Sequence, residues 1–380
     1  MPTRRSVRQT SRSSPAAPET VKLSGFGLYR YDLPFTEPLN LKSVTLRNHQ
    51  GLLLWLTGDD GSEGWGEAAP LPGFSRETLD KAASQLRELG TSLVGCEVSL
   101  DWMDPDAEPG RAPDLAGLAP SARFGVELAI WNLLSASSGN TIPCRPVETV
   151  WLNGLLSGSA EEVIAEARRM TDAGYRAVKL KVGRRSVKED SGLIHAVSGI
   201  LGDGVSLRLD ANRAWNFDEA REFARSTADL RYEYIEEPLA DAALLPRFVS
   251  ETGAPVALDE SLVDMAPEDL SNHGYARAVV LKPTLLGGIS YTLRIAEQAR
   301  RFGIPAVISS AYESGMGTLG LISLAATTGE APAGLDTYRR LAGDVFDPPL
   351  NLSLPCIDVR ATLDTLRKVD LDSLDLIAEF

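Results

Sequence analysis

The chain has 380 residues, 43% apolar and 24% charged, which is ordinary for a soluble globular protein with one large domain or two smaller ones. A formal net charge of −14 argues against a nucleic-acid partner, because phosphate would be repelled, and no apolar run approaches the ~20 residues that span a bilayer. Three widely spaced cysteines, Cys96, Cys144 and Cys356, indicate neither a disulfide framework nor a zinc site and fit a reducing cytosol.

Residues 1–20, MPTRRSVRQTSRSSPAAPET, are rich in Arg and Ser and lack the apolar core of a secretory signal. A disordered tail and a transit peptide share this composition, and the segment is read as a tail. From Val21 to Trp55 the pattern is strand-like, with a turn expected around His49–Gly51. The loop GWGEAAPLPGFSRETL then leads into a helix opened by Ser75, and SARFGVELAIWNLLSA reads as a second helix burying Phe124, Leu128 and Trp131. Residues 21–135 thus form an α+β domain.

Residues 136–345 are more regular. Strand-like runs recur at VWLNGLL (150–156), AVKLKV (177–182), VSLRLDAN (205–212), YEYIEEP (232–238), VALDESL (256–262), AVVLKPT (278–284), AVISSAY (306–312) and GLDTY (334–338). Amphipathic stretches such as EEVIAEARRMTDAGY and SYTLRIAEQARRFGI separate them. Eight strands alternating with helices predict an α/β fold of the (β/α)8 barrel type. A doubly wound sheet would want a Gly-rich phosphate loop after its first strand, and WLNGLLSGS is no such loop. Residues 346–380 return to mixed patterning and are expected to fold back on the N-terminal domain.

The strand ends carry the chemistry. In RAVKLKVG (176–183), period 2 puts Lys179 and Lys181 on one face and Val178, Leu180 and Val182 on the other. Lys181 ends strand two, Asp210 strand three, Glu236 strand four, Asp259 strand five and Lys282 strand six. In a barrel these ends converge on one mouth. Three carboxylates meeting there would repel one another unless a hard divalent cation such as Mg2+, or Mn2+, joined them. A lysine held near a cation and partly desolvated loses proton affinity and can act as a base. The cation would steady the charge that appears when a proton α to a carboxylate is removed. The expected partner is therefore a small-molecule carboxylate, bound by a monomer or homo-oligomer.

KLK at 179–181, LDAN at 209–212, YIEEP at 234–238, LDES at 258–261 and LKPTLLGG at 281–288 together closely resemble the enolase superfamily, within its muconate-lactonizing subgroup. APLPGFSRET (69–78) and SARFGVELA (121–129) extend the likeness into an N-terminal capping domain. The resemblance implies a modified TIM barrel with a cap built from the N-terminal region and the C-terminal tail. It implies Asp210, Glu236 and Asp259 as magnesium ligands, Lys181 as acid/base on one face of the substrate and Lys282 as the lysine on the opposite face. Lys179 would support Lys181 by lowering its proton affinity. Asn212 and Glu237 would stand behind these groups, and Glu260 would be either a salt-bridge partner beside Lys282 or a direct participant.

Within the subgroup, APLPGFSRET, LKPTLLGG and ISSAYESGMGT (308–318) point to the members that dehydrate a cyclohexadiene carboxylate to an aromatic acid for menaquinone synthesis. A single Asp336 in GLDTY lowers the case for a dipeptide epimerase, which usually carries Asp-x-Asp there. N-succinylamino-acid racemase and muconate cycloisomerase share the same lysines and carboxylates and stay open. Gly287 and Gly288, whose backbone N–H groups can approach an anion, and the hydroxyls of Ser309, Ser310 and Ser314 are the expected contacts for a substrate side chain. Loops near Asn40–Arg47 and Pro70–Ser75 are expected to close the mouth.

Overall fold

The computed structural model describes residues 20–41, 44–99, 114–115, 117–139, 147–263, 265–329, 331–365 and 367–380. The expected tail, Thr20 apart, and Cys144 lie outside these residues. β1 (Val21–Leu41) and β2 (Val44–Gly58) form a long antiparallel hairpin. β3 (Glu63–Ala68) pairs with β2, and the C-terminal strand Asp375–Glu379 pairs with β1. The turn expected at His49–Gly51 is not there, for His49 faces Leu33 and Gly51 faces Tyr31 within the ladder. His49 is buried, and a Cβ at Gly51 would collide with the Tyr31 ring. This His-Gln-Gly signal marks tight packing rather than a reversal of the chain.

Two helices cover one face of this sheet. α1 (Leu79–Leu93) is capped by Thr78, whose hydroxyl accepts from Lys81 N, and not by Ser75. Ser75 instead accepts from Leu71 N in the preceding loop. α2 (Pro120–Ser138) starts with proline, where a missing N–H costs nothing, and buries Phe124, Leu128 and Trp131 as expected. Gly64 and Gly66 lie on the same face of β3, and a Cβ on either would strike the α2 backbone at Ala129 O or Gly125 O. These two glycines set how closely the helix sits on the sheet.

Seven parallel strands follow, paired in chain order. They are Asn153–Leu156, Ala177–Lys181, Ser206–Asp210, Tyr234–Glu236, Val256–Leu258, Ala276–Leu281 and Ala306–Ile308, here called staves one to seven. Stave eight is shorter than GLDTY suggests. Among the described residues only Ala333 and Gly334 bridge to neighbouring staves, near Leu152 and Ser309, and Asp336–Arg340 turns into a 3₁₀ helix. Backbone bonds from Asn153 N to Ala333 O and from Gly334 N to Ile308 O, both 2.8 Å, nevertheless close the ring. The first predicted strand also divides. Thr149–Trp151 pairs antiparallel with Cys356–Asp358, so the C-terminal residues touch both layers.

α3 (Ala160–Asp172), α4 (Val187–Leu201) and α5 (Phe217–Ser226) each begin with a reciprocal capping box: Ser159 with Glu162, Ser186 with Glu189, Asn216 with Glu219. α6 (Leu245–Thr252), α7 (Pro283–Leu286), α8 (Ile289–Arg301) and α9 (Gly315–Thr328) complete the outer layer. Val178, Leu180 and Val182 face these helices and are buried, while Lys179 shares the barrel interior with Arg208 and Tyr234. Arg208 is fully buried yet satisfied, its guanidinium donating to Glu233 and to Pro332 O. One apolar core runs from Val21 in β1 through α2 and the staves to Val359. Among the described residues no helix is long and apolar enough to cross a membrane.

Candidate active site

The inward-facing charged residues gather at the C-terminal ends of the staves. Parallel register puts Lys181 beside Asp210 and Asp210 beside Glu236, each the last residue of its stave. Asp259 and Lys282 lie one residue past staves five and six. Lys179 Nζ lies 3.2 Å from both Asp210 Oδ2 and Glu236 Oε2. Lys181 Nζ donates to Asp210 Oδ2 at 2.5 Å and to Asn212 Oδ1 at 2.6 Å. Lys282 Nζ donates to Asp259 Oδ2 and lies 3.9 Å from Glu236 Oε1. Thus three carboxylates and three ammonium groups form one continuous cluster, with Lys181 and Lys282 at opposite ends.

The loops after the staves hold this cluster rigid. Asn212, Arg213 and Glu237 adopt left-handed backbone conformations, with φ of 44°, 62° and 42°. Asn212 N donates to Asp210 Oδ1 at 3.1 Å. Glu237 is buried and accepts from Asp259 N, Ser261 N, Ser261 Oγ and Arg213 Nε. It therefore fixes the backbone that carries Asp259 and does not face the cluster. Glu260 Oε1 accepts from Asn212 Nδ2 at 3.4 Å, and its Oε2 is buried with no hydrogen-bond partner among the described residues. A salt bridge from Glu260 to Lys282 does not form among the described residues.

The electrostatics of the cluster are uneven. Burial works against the charged form of Asp210, but Lys181, Lys179 and Lys282 hold its carboxyl well below the usual range. Burial, reinforced by Asp210, pushes Glu236 up to about 8 despite Lys179. Burial also raises Asp259, against the pull of Lys282. Among the lysines, burial lowers Lys181, opposed by Asp210 and aided by the charge of Lys179. Lys282 resists burial and is raised by Asp259 and Glu236.

Among the described residues no three carboxylate, imidazole or thiol groups stand assembled as a metal cage. The oxygens of Asp210, Glu236 and Asp259 are turned onto ammonium groups instead. The donor set still fits a hard divalent ion. It is all oxygen, it comes from three adjacent staves, and it holds more buried negative charge than Glu236 can carry comfortably.

Above the cluster lies a cavity of about 590 Å³. Lys179, Lys181, Lys282, Ser309 and Ser310 line it, as do Leu39, Asn40, Leu41, Leu71 and Phe74 from the N-terminal layer. The expected loops therefore do reach the mouth, but Arg47 is exposed and outside the lining. Gly287, Gly288 and Ser314 are also outside it. The anion that Gly288 admits is the protein's own Glu127 carboxylate, which accepts from Ser290 N at the start of α8. Ser314 caps α9 and donates to Glu67. The expectation missed Asn153, Tyr312, Arg184 and Arg340, all of which line the cavity. The Arg pairs at 184–185 and 339–340, one just after stave two and the other just after stave eight, were the available signal.

A closed (β/α)8-type barrel whose mouth holds acidic and basic side chains from successive staves beneath an α+β cap defines the class, and the chain belongs to the enolase superfamily. Residues 162–362 match the model described as enolase C-terminal domain-like, and residues 24–133 match the MenC N-terminal domain. More narrowly, the chain is 33% identical to the o-succinylbenzoate synthase of Pasteurella multocida (strain Pm70), over 88% of this chain and 95% of that one. It is 32% identical to the o-succinylbenzoate synthase of Haemophilus influenzae, covering 90% of this chain and 98% of the relative. Among solved structures, the N-succinyl Arg/Lys racemase from Bacillus cereus superposes with a TM-score of 0.78 at 22% identity, covering 94% of this chain and all (100%) of that one, a likeness of fold.

Proposed function

We propose that the chain is an o-succinylbenzoate synthase, a hydro-lyase that converts the succinyl-bearing hydroxycyclohexadiene carboxylate SHCHC to 2-succinylbenzoate in menaquinone synthesis. The similarity to curated synthases along nearly their whole length supports this reading, and it includes the N-terminal domain that covers the cavity. The observation that carries the mechanism is the placing of Lys181 and Lys282 at opposite ends of one buried carboxylate cluster.

Asp210, Glu236 and Asp259 would hold a divalent cation, magnesium in the first instance. When bound, it supplies positive charge against the substrate's carboxylate oxygens as the α-carbon loses its proton. Lys181, acting as the free amine, takes that proton. The electron pair left on carbon moves into the carboxylate, giving an enediolate, and then returns to expel the neighbouring hydroxyl. Lys181 gives its proton to the departing oxygen, so water leaves from the same face and the ring becomes aromatic. Lys282 stays protonated and sits over the opposite face of the ring. Asn212 holds Lys181 Nζ in place, and Glu237 holds the Asp259 loop.

The test is direct. With SHCHC and Mg2+, the absorbance of 2-succinylbenzoate should appear, vanish on chelation and return on adding Mg2+. The same two lysines would also serve racemisation of an N-succinylamino acid. If SHCHC is not turned over while N-succinylamino acids exchange their α-proton with solvent deuterium, the lyase assignment is wrong.

A further inference from the structure

The cavity has a second cationic position that the dehydration chemistry leaves unused. Arg340 sits in the 3₁₀ turn after stave eight. Its Nη2 donates to Ser157 Oγ at 2.6 Å, and among the described residues its guanidinium has no carboxylate partner. Three acidic groups line the same cavity; Glu37 is exposed and forms no ion pair with Arg340 among the described residues, and the other two are already engaged. Asp336 accepts from Arg339 and from Leu155 N, and Glu162 Oε2 accepts from Ser159 N in the α3 cap. A half-buried guanidinium with spare donors on a cavity wall suits an incoming carboxylate, which it can bind with two parallel bonds.

The position of Arg340 is built rather than accidental. Its backbone is clasped by the end of β1: Thr36 Oγ1 donates to Arg340 O, Ala342 N donates to Pro34 O, and Phe35 bridges Leu341. Its side chain is held by Ser157 from the barrel, so Arg340 joins the two layers at the mouth. Arg340 shares one chamber with the lysine cluster. The Tyr312 phenol, raised by burial, feels the opposing charges of Arg340, Lys179, Lys282 and Arg184 together. Stave eight adjoins stave one, so Arg340 enters from a different sector than Lys282 on stave six. Leu39, Leu41, Leu71 and Phe74 supply apolar wall in the same cavity. Such a space suits an elongated anion charged at both ends with a carbon skeleton between.

We propose that Arg340 anchors the second carboxylate of the substrate, the one ending the succinyl chain, while the lysine cluster receives the reacting carboxylate. This rests on the synthase reading and deepens it by naming a specificity residue. Arg340 is a binding residue remote from the reacting carbon, so its loss should be felt in KM more than in kcat.

The experiment compares two ligands on magnesium-loaded protein by calorimetry: 2-succinylbenzoate and its succinyl monoamide, which lacks the distal charge. Arg340→Gln should weaken the diacid about 10- to 100-fold and leave the monoamide within about threefold, with Arg340→Lys recovering part of the loss. With SHCHC, KM should rise by a similar factor and kcat stay within about threefold. Circular dichroism and melting temperature report whether the variants fold. Equal weakening of both ligands, or no weakening of the diacid, overturns the anchor. Wild-type protein that turns over SHCHC yet binds diacid and monoamide equally sinks the anchor alone. Wild-type protein that neither binds the diacid nor turns over SHCHC sinks the synthase reading as well.

Discussion

Lys181 carries the proposed proton transfer, and its surroundings suit that task better than those of its partners. Its Nζ is shared between one carboxylate and one amide oxygen, whereas Lys282 and Lys179 lie between carboxylates. Lys181→Ala should lower kcat about 10²- to 10⁴-fold in a steady-state assay, and activity within tenfold of wild type would remove it from the mechanism. A different residue contributes acid sensitivity. His49 is buried between Tyr31 and Phe35 with neither ring nitrogen hydrogen-bonded among the described residues, and burial lowers it to about 4 against the pull of Asp32. Its folded pKa lies below its unfolded one, so its contribution is complete above about pH 6.5 and is lost as pH falls toward 4. Between pH 7 and 5 that loss is about 2 kcal/mol. Glu67, which burial lifts to about 7, titrates in the same window with the opposite sign, so the comparison must be made against a His49 variant. In urea melts, stability should shift between pH 7 and 5 by about 2 kcal/mol more favourably in His49→Leu than in wild type, and parallel pH slopes would contradict this. The five charged residues at the mouth were legible because strand alternation and strand ends are read directly from sequence. Arg340 was missed altogether, and Glu237 was placed behind the metal ligands by the resemblance alone, without its partners. One depends on a 3₁₀ turn and the other on a backbone loop that only the folded chain brings beside Asp259.

At the level of elements, the joint between the two layers is made by β3 and α9. Glu67 on β3 accepts from Tyr31 Oη, Ser314 N, Ser314 Oγ and Gly317 N, so one buried carboxylate receives the first turn of a barrel helix. Two of these donors are backbone N–H groups at a helix N-terminus, where a negative charge is favoured. Glu67→Ala would strand four donors in a dry interior and should cost about 3 kcal/mol or more in urea unfolding, with Glu67→Gln costing less because one oxygen remains. Loss below about 1 kcal/mol would mean the helix is held by apolar contact alone. The sequence offers Ser314 as a hydroxyl for a substrate side chain; the anion it meets is Glu67. Stave eight shows the same difficulty. GLDTY falls where the repeat calls for a strand, but two residues suffice to close the ring, and the rest turn to place Asp336 and Arg340 at the mouth. Helix starts were better marked, since Ser159, Ser186 and Asn216 each have a Glu three residues on.

Across the whole molecule, the cap and barrel share one apolar core, and the chain's last strand returns to the first. Neither layer can expose its half of that core without cost, so the chain should unfold as one unit, with equal calorimetric and van't Hoff enthalpies. That cooperativity turns metal binding at the mouth into a global stabiliser. A divalent ion at about a hundred times its Kd adds about 2.7 kcal/mol to the folded state, which for a chain of this size corresponds to a rise of about 3 °C in Tm. The rise should appear in both layers. Hydrogen exchange should slow with Mg2+ in peptides from β2 as well as from stave three, although the ion would touch only the barrel. Glu236→Gln and Asp210→Asn should remove the magnesium-dependent shift, and excess chelator should return wild type to its starting Tm. Protection confined to barrel peptides would show that the layers unfold separately, and an unchanged shift in both variants would show that the ion binds elsewhere. The first outcome would break the link between the shared core and the site, because a cap that opens independently could not hold Arg340 and the Leu39–Leu41 segment over the reacting group.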